Sequence, residues 1–227
     1  MFLVLFIVGI PSWIGLSLLV FTGRLKIRGS ALFNSQKGMV LISNHPSLLE
    51  AGLLPILLFV NLIYGKTIFS TPDKANFFER SWFRPFRIAC IPIFRGNGRE
   101  ELKSLDLIKE KIREGQIVIL FAEGGRTFSV DNKHLISVNG ERIRQFPQGL
   151  RRLFTNLDCS VGFVWCRGMD NVLKNSSKVS FSSFFLLKYW KRTEVVFGDV
   201  VDSADLPNAK NQVIPFLEKK LLKTSVK

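Results

Sequence analysis

Short apolar runs alternate with amphipathic stretches along most of the chain. Apolar runs of about four to eight residues bounded by turn residues are typical of buried strands, whereas a period near 3.6 indicates helices. The pattern predicts strands at 39–42, 61–64, 90–94, 117–121, 160–165, 179–184 and 195–200. It predicts helices at 47–59, 74–87, 100–113, 147–156 and 208–223. Because strands and helices alternate, we expect an α/β fold with a mixed, mostly parallel sheet flanked by helices.

The first 23 residues carry no charged side chain. About 20 apolar residues are enough to cross a bilayer core, so this segment is predicted to be a membrane-anchoring helix. Pro11 could kink the span or make it re-entrant, and a buried core helix is the alternative. Basic residues follow and predict that the rest of the chain faces the cytoplasm, at the inner membrane if the source is bacterial: Arg24, Lys26 and Arg28. We therefore expect an anchor over residues 1–28 and a second domain over residues 29–227.

The overall charge narrows the classes of partner. The chain has a formal net charge of +14, while 47% of its residues are hydrophobic, which excludes a disordered basic tail. Such a charge suits nucleic acid, an anionic membrane surface or an acidic carrier protein. Nucleic acid is disfavoured because the sequence has no zinc-finger spacing, no basic heptads and no aromatic RNP-type strand. The 2 histidines and 3 cysteines predict neither a metal site nor a disulfide framework.

A histidine lies five residues ahead of a carboxylate, in the pair His45 and Glu50, directly after a predicted strand. Imidazole titrates near neutral pH, so it can take a proton from a hydroxyl and return it. A carboxylate on the other ring nitrogen would fix the tautomer and stabilise the imidazolium. Pro46 favours the first helical position, which predicts His45 at the helix cap and Glu50 in the second turn. The alternative is a capping histidine beside an ordinary surface glutamate.

A second polar segment follows the strand predicted at 117–121. It reads Ala122-Glu123-Gly124-Gly125-Arg126-Thr127. Paired glycines permit a tight turn and close approach of the backbone to a ligand, and arginine offers a planar fork of donors for a phosphate. The alternative is a solvated turn with a salt bridge between Glu123 and Arg126. Because both polar segments follow strands, we expect them at the carboxyl ends of the sheet strands, where sites assemble.

These segments resemble the motifs of the glycerolipid acyltransferase family, whose best-known members are the 1-acyl-sn-glycerol-3-phosphate acyltransferases of the PlsC type. The family's Asn-His-x4-Asp element is matched by residues 44–50, and its Phe-Pro-Glu-Gly-Thr-Arg-Ser element by residues 121–127. The family's strand followed by an arginine is similar to residues 91–96, which include Arg95. Its later Phe-x-x-Gly is similar to residues 146–149. The order and spacing of these elements agree with the family over most of the chain.

The resemblance implies a membrane-bound enzyme that moves a fatty acyl group from an acyl thioester to the free hydroxyl of a lysophospholipid. The favoured acceptor is 1-acyl-glycerol-3-phosphate. His45 would be the general base and Glu50 its orienting group, with backbone N–H groups near the helix start as donors to the oxyanion. No cofactor or metal is implied, and the acyl donor would be acyl-coenzyme A or acyl carrier protein. The implied substrate-binding residues are Lys66, Arg95, Glu123, Gly124, Gly125, Arg126 and Thr127.

Departures from the family pattern keep other acceptors open. Glu50 replaces the usual aspartate, and Ala122 and Gly125 replace a proline and a threonine. Lipid A acyltransferases also use a His-x4-Glu pair, whereas the Glu-Gly-x-Arg element favours glycerolipid acceptors. The alternatives are an acyltransferase acting on another lysophospholipid, an amino lipid or a lipid A precursor, and a non-catalytic peripheral protein that binds anionic lipid.

Overall fold

The structure is a computed structural model that describes residues 10–33, 36–94, 98–124, 134–173, 188, 190–209 and 211–226. Its strands are β1 (Leu25–Arg28), β2 (Met39–Ser43), β3 (Ile68–Ser70), β4 (Ile117–Phe121), β5 (His134–Ile136), β6 (Arg142–Arg144), β7 (Ser160–Arg167) and β8 (Thr193–Asp202). The α-helices are α1 (Ile10–Phe21), α2 (Leu49–Leu58), α3 (Gly98–Arg113), α4 (Met169–Val172) and α5 (Val213–Thr224). Shorter 3-10 helices span Phe59–Tyr64, Ser81–Ala89, Gln148–Phe154 and Ser203–Asp205, and a π-helical turn spans Lys74–Phe78.

Six strands form the central sheet in the order β1-β8-β7-β2-β4-β3. Strands β7, β2, β4 and β3 run parallel, β8 is antiparallel to β7, and β1 is parallel to β8. The fold is therefore the mixed, mostly parallel sheet that the sequence predicts. The register aligns Ser43 with Phe121 on one side and with Val164 on the other. The residues that follow β2, β4 and β7 leave the sheet at one common edge, which we call the carboxyl edge.

Strand β2 is buried along its whole length, which explains its uninterrupted apolar run. On one face, Val40 and Ile42 pack in a cluster with residues of α3 and α5. On the other face, Met39 and Leu41 pack with residues of α2, and Leu16 of α1 joins this cluster. Because helices cover both faces of the sheet centre, the loop after β2 starts from a rigid element, and sites on such elements are well positioned.

The predicted strand at 61–64 is a 3-10 helix, and the strand of this region is β3. Short apolar runs do not distinguish a strand from a helical segment by periodicity alone. Here the side chain of Asn61 decides the outcome. It is buried and bonds to three backbone groups, those of Phe33, Ala31 and Leu58. These contacts stabilise a turn that the apolar pattern does not reveal.

Other predicted elements shift or shorten. Residues 90–94 make only isolated bridges, at Cys90 and Ile93. The helix predicted at 74–87 divides into the π-helical turn and a 3-10 helix, and a proline within the latter removes a backbone donor. The helix predicted at 147–156 is a 3-10 helix, and the last predicted helix is α5, which begins later than expected. The strand predicted at 179–184 lies outside the described residues.

The N-terminal segment is joined to the sheet. Strand β1, which the sequence assigned to the anchor, pairs with β8 over residues 25–28. Leu16 of α1 is buried in the core beside α2. The predicted anchor therefore includes a strand of the central sheet. Helix α1 has 12 residues, and among the described residues no helix combines the length and the apolar character needed to span a membrane.

Candidate active site

The loop after β2 is attached to β7 by the side chain of Asn44. Its Nδ2 donates to the carbonyl oxygen of Cys166 at 2.8 Å, and its Oδ1 accepts from the amide of the same residue at 2.7 Å. Asn44 is buried, so both hydrogen bonds are shielded from water. The side-chain amide replaces the backbone pairing of β2 with β7, which ends at Ser43. The chain therefore leaves the sheet at a fixed point immediately before His45.

His45 and Glu50 form a hydrogen-bonded pair at the carboxyl edge. Nδ1 of His45 lies 2.6 Å from Oε1 of Glu50, whose side chain is fully buried. The amide of Ser47 donates to the same oxygen at 2.9 Å. Because a carboxylate oxygen accepts and does not donate, we assign the proton to Nδ1 and the lone pair to Nε2. The predicted pairing is present, with the tautomer that a general base requires.

Helix α2 starts at Leu49 rather than at Pro46, so Glu50 lies in its first turn and not in its second. Ser47 shapes the bend that precedes the helix. Its Oγ donates to the carbonyl oxygen of Leu173 at 3.0 Å and accepts from the first helical amide at 3.2 Å. The bend turns the chain back, so the histidine meets the carboxylate across it and not along one helix face.

The imidazole of His45 is stacked on Phe121, the last residue of β4. The two ring centroids are 4.5 Å apart, with an interplanar angle of 27°. This stacking and the bond to Glu50 restrict rotation of the ring. The His45 side chain keeps 13% of its surface exposed. The ring is therefore both oriented and accessible, as proton exchange with a substrate requires.

Glu123 supports the same histidine through the backbone. Its Oε1 accepts from the amide of His45 at 2.7 Å, and its Oε2 accepts from the amide of Arg144 at 2.8 Å. Glu123 is only 2% exposed. Gly124 follows with φ of 65°, a left-handed conformation that glycine adopts without strain. Because each Glu123 oxygen accepts from a backbone amide, we interpret Glu123 as a positioning residue, and its role in substrate binding stays a prediction.

Lys66 lies where β2 and β4 begin, at the end of these strands opposite to His45. Its Nζ donates to the carbonyl oxygens of Lys37 at 2.8 Å and Gly115 at 2.9 Å, which precede β2 and β4. Strand β2 separates this end from His45 by roughly 17 Å, at about 3.3 Å per residue. Burial lowers the pKa of Lys66. This placement corrects the prediction that Lys66 helps to bind the acceptor phosphate. The remaining predicted substrate-binding residues lie outside the described residues: Arg95, Gly125, Arg126 and Thr127.

The cysteines are poor nucleophiles. Cys166 is fully buried, which raises the pKa of its thiol, and the nearby charge of Glu50 raises it further. Burial raises the pKa of Cys90 to about 12 and that of Cys159 to about 11. The three thiols therefore stay protonated at neutral pH, whereas the thiolate is the reactive form. Among the residues that the structure describes, no group of three or more His, Cys, Asp or Glu side chains is arranged to hold a metal ion.

Several residues that shape the site carried no functional prediction. Asn44 and Ser47 act through bonds from their side chains to the backbone, and Phe121 acts through stacking. The available signal was an asparagine and a serine beside a helix start, since both side chains readily bond to nearby backbone. Arg144 contributes its amide to Glu123 from 21 residues away, and no local pattern identifies such a partner.

Comparisons with known proteins agree with this geometry. The family model described as Acyltransferase matches residues 24–167, a range that includes the His45–Glu50 pair and Glu123. The chain is similar in structure to the 1-acyl-sn-glycerophosphate (LPA) acyltransferase, PlsC, from Thermotoga maritima, with a TM-score of 0.59 and 15% identity over 89% of this chain and 70% of that chain. This similarity shows a shared fold. No curated protein sequence gives a significant match. Since the family model covers more than half of the sequence, the chain belongs to the acyltransferase family, as the PlsC-type resemblance of its motifs predicted.

Proposed function

We propose that the protein transfers a fatty acyl group from an acyl thioester to the free hydroxyl of 1-acyl-glycerol-3-phosphate, which gives phosphatidic acid. The observation that carries the proposal is the 2.6 Å contact between Nδ1 of His45 and Oε1 of Glu50. Membership of the acyltransferase family supports the reaction type. The choice of acceptor is supported by the motif resemblance and by the name of the PlsC enzyme whose fold is similar.

In the proposed reaction, Nε2 of His45 removes the proton of the acceptor hydroxyl as its oxygen attacks the thioester carbonyl carbon. Glu50 stabilises the imidazolium through Nδ1. The tetrahedral intermediate then collapses, the carbon–sulfur bond breaks, and His45 returns the proton to the departing thiolate. Acid–base assistance of this kind contributes about 10²–10⁴-fold to the rate. The acyl group passes directly to the acceptor, and no enzyme nucleophile takes part.

The oxyanion of the intermediate needs donors, and three amides near the start of α2 are already engaged. The amide of His45 donates to Glu123, and the amide of Ser47 donates to Glu50. The amide of Leu49 donates to the Ser47 hydroxyl. These three amides are therefore poor candidates for the oxyanion site that the sequence suggested there.

The remaining substrate contacts follow from the motif resemblance. Arg95 and Arg126 would bind the acceptor phosphate, because guanidinium groups pair with phosphate oxygens through parallel hydrogen bonds. Gly124, Gly125 and Thr127 would line the same pocket. The net charge of +14 favours both anionic substrates, the phosphorylated acceptor and a donor carried by coenzyme A or acyl carrier protein.

The proposal includes attachment to a membrane, with the carboxyl edge on the cytoplasmic side. Trp190 is 58% exposed, and its carbonyl oxygen accepts from the guanidinium of Arg24, so an exposed tryptophan lies close to the end of α1. Tryptophan and basic residues together are typical of membrane interfaces. Helix α1 also exposes large apolar side chains: Trp13, Ile14, Leu18, Val20 and Phe21. Flotation of the purified protein with vesicles containing anionic lipid tests this attachment, and protein that stays in the dense fraction contradicts it.

The reaction is tested by measuring the free thiol released from acyl-coenzyme A or from acylated acyl carrier protein. The acceptors compared are several lysolipids, monoacylglycerol and a lipid A precursor. We expect 1-acyl-glycerol-3-phosphate to give the highest kcat/KM. His45→Ala should lower kcat by about 100-fold or more, because it removes the general base. Circular dichroism and vesicle flotation should show that this variant still folds and binds membranes. Wild-type activity in a folded His45→Ala protein would refute the assignment of the base.

A further inference from the structure

The hairpin of β5 and β6 is linked to the backbone of His45 through the carboxylate of Glu123. One oxygen of Glu123 accepts the amide of His45 at 2.7 Å, and the other accepts the amide of Arg144 at 2.8 Å. Two hydrogen bonds across a single carboxylate hold the two amide nitrogens within about 8 Å of each other. Arg144 is therefore a fixed neighbour of the general base, although the two are distant in sequence.

The alternation of side chains along β6 separates Arg144 from the core. Ile143 is fully buried, and Leu135 of β5 packs against the same core cluster, so this face of the hairpin is fixed to the body of the protein. Successive side chains of a strand point to opposite faces, so Arg142 and Arg144 lie on the other face. Arg142 is exposed, whereas Arg144 is partly buried. The packing of Ile143 and Leu135 thus fixes the backbone position of Arg144.

The guanidinium of Arg144 makes no ion pair within the part of the chain that the structure describes, and its Nε is enclosed without a hydrogen-bond partner. Another arginine of the same edge shows the usual arrangement. Arg167 pairs with Glu141 at 2.5 Å and also with Glu194. An enclosed donor without an acceptor is unfavourable and rare in native proteins, and a missing ligand is one explanation for it. Arg144 is therefore suited to an anion that comes from outside the chain.

We propose that Arg144 binds the phosphate monoester of the acceptor lipid, an inference that rests on the proposed function. One carboxylate, that of Glu123, then positions both the general base and a ligand of the acceptor headgroup. The fork of donors on arginine suits the oxygens of a phosphate. The acyl donor also carries phosphate, so its KM is measured separately from that of the acceptor. Through this contact, Arg144 would favour acceptors with an anionic headgroup over neutral acceptors.

The test compares Arg144→Gln and Arg144→Lys with Arg142→Gln, a matched control on the same strand. Acceptors are 1-acyl-glycerol-3-phosphate and 1-acylglycerol in neutral detergent micelles. Arg144→Gln should raise KM for the phosphorylated acceptor roughly 10- to 100-fold, the effect of a lost hydrogen bond to a charged group, with kcat and the KM for the acyl donor unchanged. Arg144→Lys should recover part of the loss, because it keeps the charge without the fork. Arg142→Gln should behave as the wild type.

Equilibrium binding of radiolabelled 1-acyl-glycerol-3-phosphate, without acyl donor, separates this inference from the proposed reaction. Binding that is lost in Arg144→Gln and kept in Arg142→Gln supports a role for Arg144 even if the wild type transfers no acyl group. Equal binding by wild type and Arg144→Gln would overturn it, as would failure of the wild type to bind the lipid. It would also be overturned by a KM increase that 1-acylglycerol shares or that is confined to the acyl donor. If Arg144→Gln unfolds, Arg144→Lys decides by the same criteria.

Discussion

Replacing Glu123 with glutamine separates two roles for this residue, positioning and substrate binding. Glutamine has nearly the same shape, and its carbonyl oxygen can still accept one of the two backbone amides. Its NH2 group then faces the other amide, so two donors meet and one is left without an acceptor. The affected amides are those of His45 and Arg144, which in the wild type donate hydrogen bonds to Glu123 at 2.7 and 2.8 Å.

The cost follows from the burial of the site. Glu123 is 2% exposed, so water cannot replace the lost acceptor. A buried donor left unpaired costs about 1–3 kcal/mol, and a hydrogen bond to a charged group contributes about 1.5–3 kcal/mol. We expect Glu123→Gln to lose about 2–4 kcal/mol of unfolding free energy. For a chain of this size, that loss corresponds to a fall in Tm of roughly 5–15 °C.

The same substitution should lower kcat while leaving the KM of the acceptor unchanged. The backbone at His45 loses a support, and a displacement of about 1 Å at a reacting group can cost about 100-fold in rate. Thermal unfolding by circular dichroism and steady-state thiol release measure the two effects. Glu110→Gln is the matched control, because this side chain lies on α3 and is 58% exposed. It should leave Tm and kcat close to the wild-type values.

The opposite pattern would refute the positioning role. If Glu123→Gln keeps the wild-type Tm and kcat but raises the KM for 1-acyl-glycerol-3-phosphate, then Glu123 contacts the acceptor, as the sequence motif suggested. A fall in Tm without any change in kcat would show that the two backbone bonds contribute to stability only. The geometry of His45 would then depend on Glu50 and Phe121 alone.

Two further predictions concern buried charges. Lys66→Met should lower Tm and leave the KM for the acceptor unchanged, because Lys66 bonds strand ends far from His45; a raised KM would restore its predicted role. Since burial lowers the pKa of Lys66, the wild type should gain unfolding free energy relative to this variant, in chemical denaturation, as the pH rises toward 10.5. Burial raises the pKa of Glu218, and the hydrogen bond from the amide of Phe146 to its carboxylate offsets part of this increase. The native state therefore keeps this proton longer than the unfolded chain, and the wild type should lose stability relative to Glu218→Gln as the pH rises above 4.5. Parallel stability curves for wild type and variant would contradict either pH prediction.

The central strands could be predicted because burial on both faces gives them continuous apolar runs. Strands β2, β4 and β7 fall where the sequence placed them, within one or two residues at their ends. Strand β1 was missed for a different reason. Its buried Leu25 alternates with the exposed Lys26 and Arg28, but basic residues directly after an apolar segment also predict the flank of a membrane helix. The alternation is typical of a sheet strand, and it becomes clear once β8 is known to pair with it.

The site was predictable where the chemistry is local and not where it depends on distant contacts. The His45–Glu50 pair lies within one short segment, and the second motif at residues 121–127 favours the catalytic interpretation of this pair over a capping histidine. The sequence predicts that Glu123 and Lys66 bind substrate, because an acid in a glycine-rich loop and a lysine near a strand do not reveal which groups they face. The structure shows that Glu123 faces two backbone amides and that Lys66 faces two carbonyl oxygens at the opposite edge.

In the His45–Glu50 pair, one carboxylate oxygen makes no hydrogen bond to the described residues, and this bears on how the site works. Oε1 of Glu50 accepts from both His45 and Ser47, while Oε2 is buried and has no hydrogen-bond partner among the residues that the structure describes. A buried carboxylate oxygen without a hydrogen bond is unfavourable for stability, and such unsatisfied groups are expected at functional sites. The carboxylate is best compensated when His45 carries a positive charge. That charge develops when His45 takes the proton of the acceptor hydroxyl, so the contact with Glu50 is stronger in the reacting state than in the resting state, which is the requirement for lowering the barrier.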